Sequence, residues 1–215
     1  MDLFGSIGES GLTKENLEPG AAILRGFALS REAKLLVALR TVSEQSPFRR
    51  MMTPGGFPMS VAMTNCGQVG WVTDRKGYRY SPVDPETQRP WPPMPNSFLA
   101  LAKSAAEETG FPSFTPDGCL MNRYAPGARL SLHQDKDEHD FNQPIVSVSL
   151  GLPAVFLWGG DQRTDKTRRI ALTHGDVVVW GGPARLRYHG VMPLKEGIHP
   201  LLGSYRFNLT FRKAN

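Results

Sequence analysis

The chain has 215 residues, 40 % hydrophobic and 21 % charged, with a formal charge of +5, which fits one large or two small soluble globular domains. It contains no apolar run near the roughly 18–20 residues that span a bilayer, and its opening M-D-L-F-G-S-I-G-E-S lacks a signal-peptide pattern. Its two cysteines, Cys66 and Cys119, exclude a disulfide framework or a cysteine-built metal domain, and a cytoplasmic protein is expected.

Residues 1–20 read as a loose polar tail. From Ser30 to Gln45 the apolar residues Leu35, Leu36, Leu39 and Val42 recur at helical spacing, with Ser30 in the N-cap position. Residues 46–95 are dense in proline, glycine, methionine and aromatics, with short candidate strands between turns. The pattern predicts a second helix over Asn96–Glu108, with Phe98, Leu99 and Leu101 apolar and Gly110 as its stop. From Cys119 onward short strands alternate with turns: L-M-N-R-Y, A-R-L-S-L-H, I-V-S-V-S-L-G, A-V-F-L-W-G-G, R-R-I-A-L, D-V-V-V-W-G-G and S-Y-R-F-N-L-T-F-R. Such a run predicts a sandwich or jelly roll. The expected organisation is a tail and helical support over 1–45, a separate segment over 46–95 and a β core over 96–215.

The stretch S-L-H-Q-D-K-D-E-H-D crowds six groups able to hold a proton or a metal, from His133 to Asp140. In an extended segment side chains alternate, so His133 and Asp135 project to one side and Gln134 to the other. His189, in R-L-R-Y-H-G, supplies a third ligand if the sheet rolls its strand against this one. Two imidazoles and one carboxylate make the facial triad of non-haem Fe(II) oxygenases. A zinc hydrolase, or a surface histidine beside a solvated acidic turn, is compatible with the same three residues.

In the final strand R-F-N-L-T-F-R, Arg206, Asn208, Thr210 and Arg212 face one side, while Phe207, Leu209 and Phe211 face the other. Two arginines on the inner face of a β core would be costly without an anion. The guanidinium fork suits carboxylates, so a dicarboxylate along this strand is one reading. A solvent-facing edge strand is the other.

The quoted H-Q-D, His189 and R-F-N-L-T-F-R, together with T-P-G-G-F-P-M-S-V-A-M-T-N-C-G, Y-S-P-V-D-P, N-R-Y-A-P-G-A-R-L-S-L-H-Q-D-K-D-E and H-G-D-V-V-V-W-G-G, resemble the AlkB-type iron- and 2-oxoglutarate-dependent dioxygenases, which repair alkylated nucleic acid. The resemblance runs over roughly residues 20–213. It implies a double-stranded β-helix (jelly-roll) core of α+β, mainly β class, with N-terminal helices and a nucleotide-recognition lid over 46–95. It implies Fe(II) held by His133, Asp135 and His189, and 2-oxoglutarate and O2 as co-substrates. Arg206 would hold the distal carboxylate with Asn122 and Tyr124, and Arg212 would sit near the C1 end with Asn208, Thr210 and Ser147. The implied reaction hydroxylates an N-methyl group, releasing formaldehyde, succinate and CO2.

The resemblance also implies methylated single- or double-stranded DNA, with RNA as an alternative, acted on by a monomer. A base in a duplex must be flipped out to reach a buried iron. Trp71 is the expected stacking platform, opposite His133, with Thr53, Met63, Tyr78 and Arg163 as nucleic-acid contacts. Asp137 and Glu138 would accept from an exocyclic amino group, and their charge would favour cationic bases such as 1-methyladenine and 3-methylcytosine. Arg129, Trp158 and Arg187 receive no role, and His139 and Asp140 are expected in a solvated loop. An oxygenase acting on modified RNA or a protein side chain, and a silent binding module, are the competing readings.

Overall fold

Alternating strand residues dictate a three-layer arrangement, and the computed structural model describes residues 13–215 of it. The strands and helices follow in the order β1 (Thr13–Glu18), β2 (Ala21–Arg25), α1 (Glu32–Gln45), β3 (Ala62–Gly67), β4 (Gly70–Asp74), β5 (Gly77–Ser81), α2 (Asn96–Glu108), β6 (Gly118–Tyr124), β7 (Leu130–His133), β8 (Ile145–Gly151), β9 (Ala154–Trp158), β10 (Arg168–Leu172), β11 (Val177–Trp180), β12 (His189–Val191) and β13 (Arg206–Arg212). The major sheet runs β1-β2-β11-β8-β13-β6-β3, the minor sheet β10-β9-β12-β7, and β4-β5 form a hairpin of their own. This is the mainly β jelly-roll architecture expected.

Each central strand of the major sheet sends one set of side chains to the helices and the other to the minor sheet. Val177 and Val179 of β11, with Leu209 and Phe211 of β13, pack against Leu35, Leu39, Phe98 and Leu101. Val178 and Trp180 turn the opposite way, to meet Phe156, Trp158 and Ile170 of the minor sheet. Helix α1 buries Leu35, Ala38, Leu39 and Val42, and α2 buries Phe98, Leu101, Ala102, Ala105 and Ala106. These sets fall at the helical repeat. The alanines let α2 approach closely, and full burial of Phe98 or Leu101 is worth about 1.5–3 kcal/mol each.

Three expectations need correction. Of the supposed loose tail, residues 1–12 lie outside the described residues, but Thr13–Glu18 is a strand paired with β2. Ser30 is not an N-cap: it lies inside a short 3-10 turn, and Arg31 occupies the cap of α1 with no side-chain hydrogen bond. The boundaries at 45/46 and 95/96 do not coincide with the sheets, because β2 pairs with β11 and β3 with β6 in the major sheet. Segments assigned to support and lid therefore supply sheet strands, and Ile23 and Met63 are buried there. Among the described residues no helix is long and apolar enough to cross a membrane.

Candidate metal centre and its cavity

Strand β7 ends on His133 and β12 begins on His189, and the two are direct cross-strand partners. Facing positions of an antiparallel pair bring side chains into contact, and the imidazole centroids lie 4.4 Å apart. Gly190 makes the approach possible, since a Cβ there would sit 2.8 Å from the Leu130 carbonyl oxygen. Asp135 follows in the extended residues after β7. Its Oδ1 is 3.7 Å from His133 Nε2 and its Oδ2 3.8 Å from His189 Nε2. The ligand atoms of all three lie within 4.8 Å of one another.

Each imidazole is oriented by its own backbone. His133 Nδ1 donates to the Ser131 carbonyl at 2.8 Å and His189 Nδ1 to that of Arg187 at 2.9 Å. That tautomer leaves both Nε2 lone pairs facing the centre, as metal-binding histidines require. Burial, reinforced by the charge of His133, pushes His189 down to about 4, so it is neutral near pH 7. Burial alone would raise the Asp135 carboxyl, but Arg212, His189 and His133 outweigh it and hold it well below the usual range. Arg212 donates through Nη2 at 2.6 Å and Nε at 3.0 Å to Asp135 Oδ2. The third ligand thus stays ionised and oriented without a metal.

The polar face of β13 lies between the sheets. Arg206, Asn208, Thr210 and Arg212 are all buried, which excludes the edge-strand reading. Asn208 is a hub: its Nδ2 donates to Ser147 Oγ at 2.8 Å, and its Oδ1 accepts from Thr210 Oγ1 at 2.9 Å and Asn122 Nδ2 at 3.1 Å. Arg206 donates from Nη2 to Ser149 Oγ at 3.0 Å and lies over the Tyr124 ring. Its Nε and Nη1 are buried without a partner, as is Asn122 Oδ1. An unpaired buried guanidinium face costs free energy unless an acceptor occupies the space before it.

That space is a cavity of about 530 Å³, which reaches from Arg206 past the metal cluster to the exterior. Its lining brings together Met63, Asn122, Tyr124, Ser147, Arg206, Asn208, Thr210 and Arg212 inside, the three ligand residues midway, and Thr53, Trp71, Tyr78, Asp137 and Arg163 toward the outside. Trp71 and Tyr78, on the β4–β5 hairpin, stack with centroids 5.6 Å apart. Trp71 Nε1 donates to Asp137 Oδ2 at 2.7 Å.

Glu138 departs from its expected role. It is 5 % exposed, is absent from the cavity lining, and accepts from Arg185 Nη2 at 2.9 Å and from the Tyr80 hydroxyl. Asp137 lines the cavity, whereas the Glu138 carboxylate is buried and taken up by Arg185 and Tyr80, so only Asp137 is presented to a ligand there. His139 is exposed, and Asp140 organises a turn by accepting from Asn142 N at 2.9 Å.

Trp158 and Arg187 meet at Glu18. Glu18 Oε1 accepts from Trp158 Nε1 at 2.7 Å and Arg187 Nε at 3.1 Å, and Oε2 from Arg187 Nη2 at 2.7 Å. This clamps the residue whose carbonyl orients His189. Arg129 lines the cavity mouth. Sequence reading also missed Trp180, whose ring stands 4.9 Å from that of His189. The alternation within V-V-V-W could have found it, whereas Arg185 and Glu18 carried no local signal.

The donor set suits Fe(II), and the two unpaired Arg206 nitrogens suit the far carboxylate of a dicarboxylate such as 2-oxoglutarate. The profile of the 2OG-Fe(II) oxygenase superfamily matches residues 20–212. The alpha-ketoglutarate-dependent dioxygenase AlkB of Escherichia coli K12 is 61 % identical over 214 residues, covering 100 % of this chain and 98 % of that one. A DNA N(6)-methyladenine demethylase, ALKBH1C of Arabidopsis thaliana, is 38 % identical over 54 % of this chain and 28 % of its own length. The solved structure of OsALKBH1 superposes with a TM-score of 0.78 at 28 % identity, covering 94 % of this chain and all of that one.

Proposed function

The chain belongs to the 2OG-Fe(II) oxygenase superfamily as an AlkB-type dioxygenase, and from that premise we propose how its residues divide the work. Its reaction is oxidative dealkylation of nucleic acid, dependent on Fe(II), 2-oxoglutarate and O2. The bound metal and co-substrates supply the oxidation that turns an N-methyl group into N-hydroxymethyl, lost as formaldehyde, while 2-oxoglutarate becomes succinate and CO2.

His133, Asp135 and His189 hold the metal, and Arg206, Asn122 and Tyr124 hold the distal carboxylate of 2-oxoglutarate. Arg212, Asn208, Thr210 and Ser147 form the wall near its other end. Fixing the co-substrate in one pose converts a bimolecular encounter into a positioned one. Trp71 and Tyr78 provide the aromatic platform for the flipped base, with the His133 ring on its other side. Thr53 and Arg163 contact the nucleic acid around it, and the buried Met63 forms part of the cavity wall that the base enters. The Asp137 carboxylate at the cavity mouth favours a cationic base over a neutral one, which selects 1-methyladenine and 3-methylcytosine. We assign the enzyme to the cytoplasm as a monomer acting preferentially on single-stranded DNA, where no pairing energy opposes base capture.

The observation that carries this reading is Arg206, a buried guanidinium with two unpaired nitrogens in the same cavity as the two-imidazole, one-carboxylate cluster. The test is release of formaldehyde and succinate from a single-stranded oligonucleotide bearing 3-methylcytosine, with Fe(II) and 2-oxoglutarate supplied. Stoichiometric release is expected. Turnover of a peptide or of modified RNA with none on the DNA oligonucleotide would overturn the assignment.

A further inference from the structure

Two consecutive carboxylates next to the metal ligands hold the two members of one cross-strand pair. Trp71 of β4 lies opposite Tyr80 of β5. The Trp71 indole donates to Asp137, and the Tyr80 hydroxyl donates to Glu138. The two attachments differ in their surroundings: Asp137 is exposed, whereas Glu138 is 5 % exposed. A hydrogen bond in the open competes with water, while breaking a buried one leaves polar groups unsatisfied. Of these two attachments, the Tyr80–Glu138 contact is therefore the firmer hold on the hairpin.

Behind Glu138 the network continues to the metal centre. Arg185, itself 3 % exposed, donates from Nη2 to Glu138 Oε2 at 2.9 Å and from Nη1 to the Asp135 carbonyl at 2.7 Å. Arg212 Nε stands 3.3 Å from Glu138 Oε1 and 3.0 Å from Asp135 Oδ2. The β4–β5 hairpin is a two-stranded sheet that neither larger sheet extends, so side chains fix it: the buried Asn65 accepts from Trp71 N and donates to the Trp71 carbonyl, both at 3.0 Å, and Glu138 holds the Tyr80 strand. We infer that Glu138 is a positioning residue that latches the Trp71/Tyr78 hairpin to the backbone and carboxylate of Asp135, rather than a residue that reads the base. The inference deepens the proposed function and rests on the hairpin being the base platform. It explains why one acidic residue of the 137–138 pair faces the cavity while its neighbour is buried. The platform and the metal are thereby held in one frame, through Tyr80, Glu138, Arg185 and Arg212.

Tyr80→Phe removes the hydroxyl and keeps the ring. Glu138→Gln keeps an acceptor oxygen for Tyr80, and Glu138→Ala removes it. Three readouts separate the roles: amide hydrogen exchange of residues 70–81 in the full chain without nucleic acid, Co(II) affinity by absorbance, and kcat and KM on a methylated single-stranded oligonucleotide. A lost hydrogen bond to a buried charged group corresponds to roughly 10–100-fold in an equilibrium. Tyr80→Phe is expected to speed exchange in the hairpin and raise KM by about that factor, with Co(II) affinity and kcat within about twofold. Glu138→Gln should retain most of the protection, and Glu138→Ala should lose it. Unchanged hairpin exchange in Tyr80→Phe overturns the inference, even if Glu138→Ala fails to fold. So does a Glu138→Ala enzyme with raised KM and an undisturbed hairpin, the signature of base reading. Absence of wild-type turnover on the oligonucleotide would sink the dealkylase reading, while the exchange measurement would still decide the latch.

Discussion

Replacing Arg206 with methionine removes a buried cation while keeping most of its volume. In the ligand-free chain Arg206 has one side-chain hydrogen bond, to Ser149, and two unpaired nitrogens. Burial pushes its pKa down, only partly opposed by Tyr124. Even a buried ion pair replaced by well-packed apolar groups is often neutral or stabilising by about 1–4 kcal/mol, and among the described residues Arg206 lacks a carboxylate partner to offset its lost hydration. The ligand-free Arg206→Met protein is thus expected to match the wild type in urea denaturation or exceed it by about 1–2 kcal/mol.

Binding should respond in the opposite direction. Two hydrogen bonds between charged partners contribute about 3–6 kcal/mol together, or roughly 10²–10⁴-fold in the Kd for 2-oxoglutarate. With Co(II) bound and 2-oxoglutarate at 100 times the wild-type Kd, mass action stabilises the wild type by about 2.7 kcal/mol. For a chain of this size that is a Tm rise of about 5–11 °C, which Arg206→Met should reduce to about 1 °C or less. Wild-type thermal stabilisation by 2-oxoglutarate in the variant would refute the assignment of Arg206. A loss of 3 kcal/mol or more in the ligand-free variant would refute the claim that its guanidinium is an unsatisfied burden.

Asp135→Ala should abolish turnover and also leave Arg212 buried beside a missing partner, at a cost of about 3–5 kcal/mol in urea denaturation. Its affinity for a single-stranded oligonucleotide, read by fluorescence anisotropy, should stay within about threefold; normal Co(II) binding would remove Asp135 from the metal site. His189 gives a pH signature in the metal-free protein. Its folded pKa of about 4 lies below the ordinary 6.5, so the unfolded chain binds the proton first as pH falls. The contribution is complete above pH 6.5 and lost between there and pH 4, a drop of roughly 3 kcal/mol. His189→Gln should flatten that part of the urea stability profile, and an unaltered slope would count against a buried neutral imidazole.

Features governed by local periodicity were legible in the amino-acid order. The 3.6-residue repeat located α2 at Asn96–Glu108, matching its observed bounds. The two-residue repeat separated Leu209 and Phe211 from Arg206, Asn208, Thr210 and Arg212, and it put His133 and Asp135 on one side of an extended segment. Both repeats follow from backbone geometry alone, so neighbours in the chain suffice to read them. The pairing of β12 with β7 was not legible, since a three-residue strand is too short to show a period. Nor was the entry of Ile23 and Met63 into the core, because that depends on which distant strand each segment meets.

The acidic run 135–140 draws the same line most sharply. The H-x-D spacing made Asp135 a candidate metal ligand and the family resemblance implied an electrostatic role for Asp137 and Glu138, but those two look equivalent in one dimension. Only the positions of Arg185, Arg212 and Tyr80, residues far away in the chain, turn one carboxylate to the cavity and bury the other. A buried charge goes where partners can compensate its lost hydration, and the tertiary fold alone decides where those partners are.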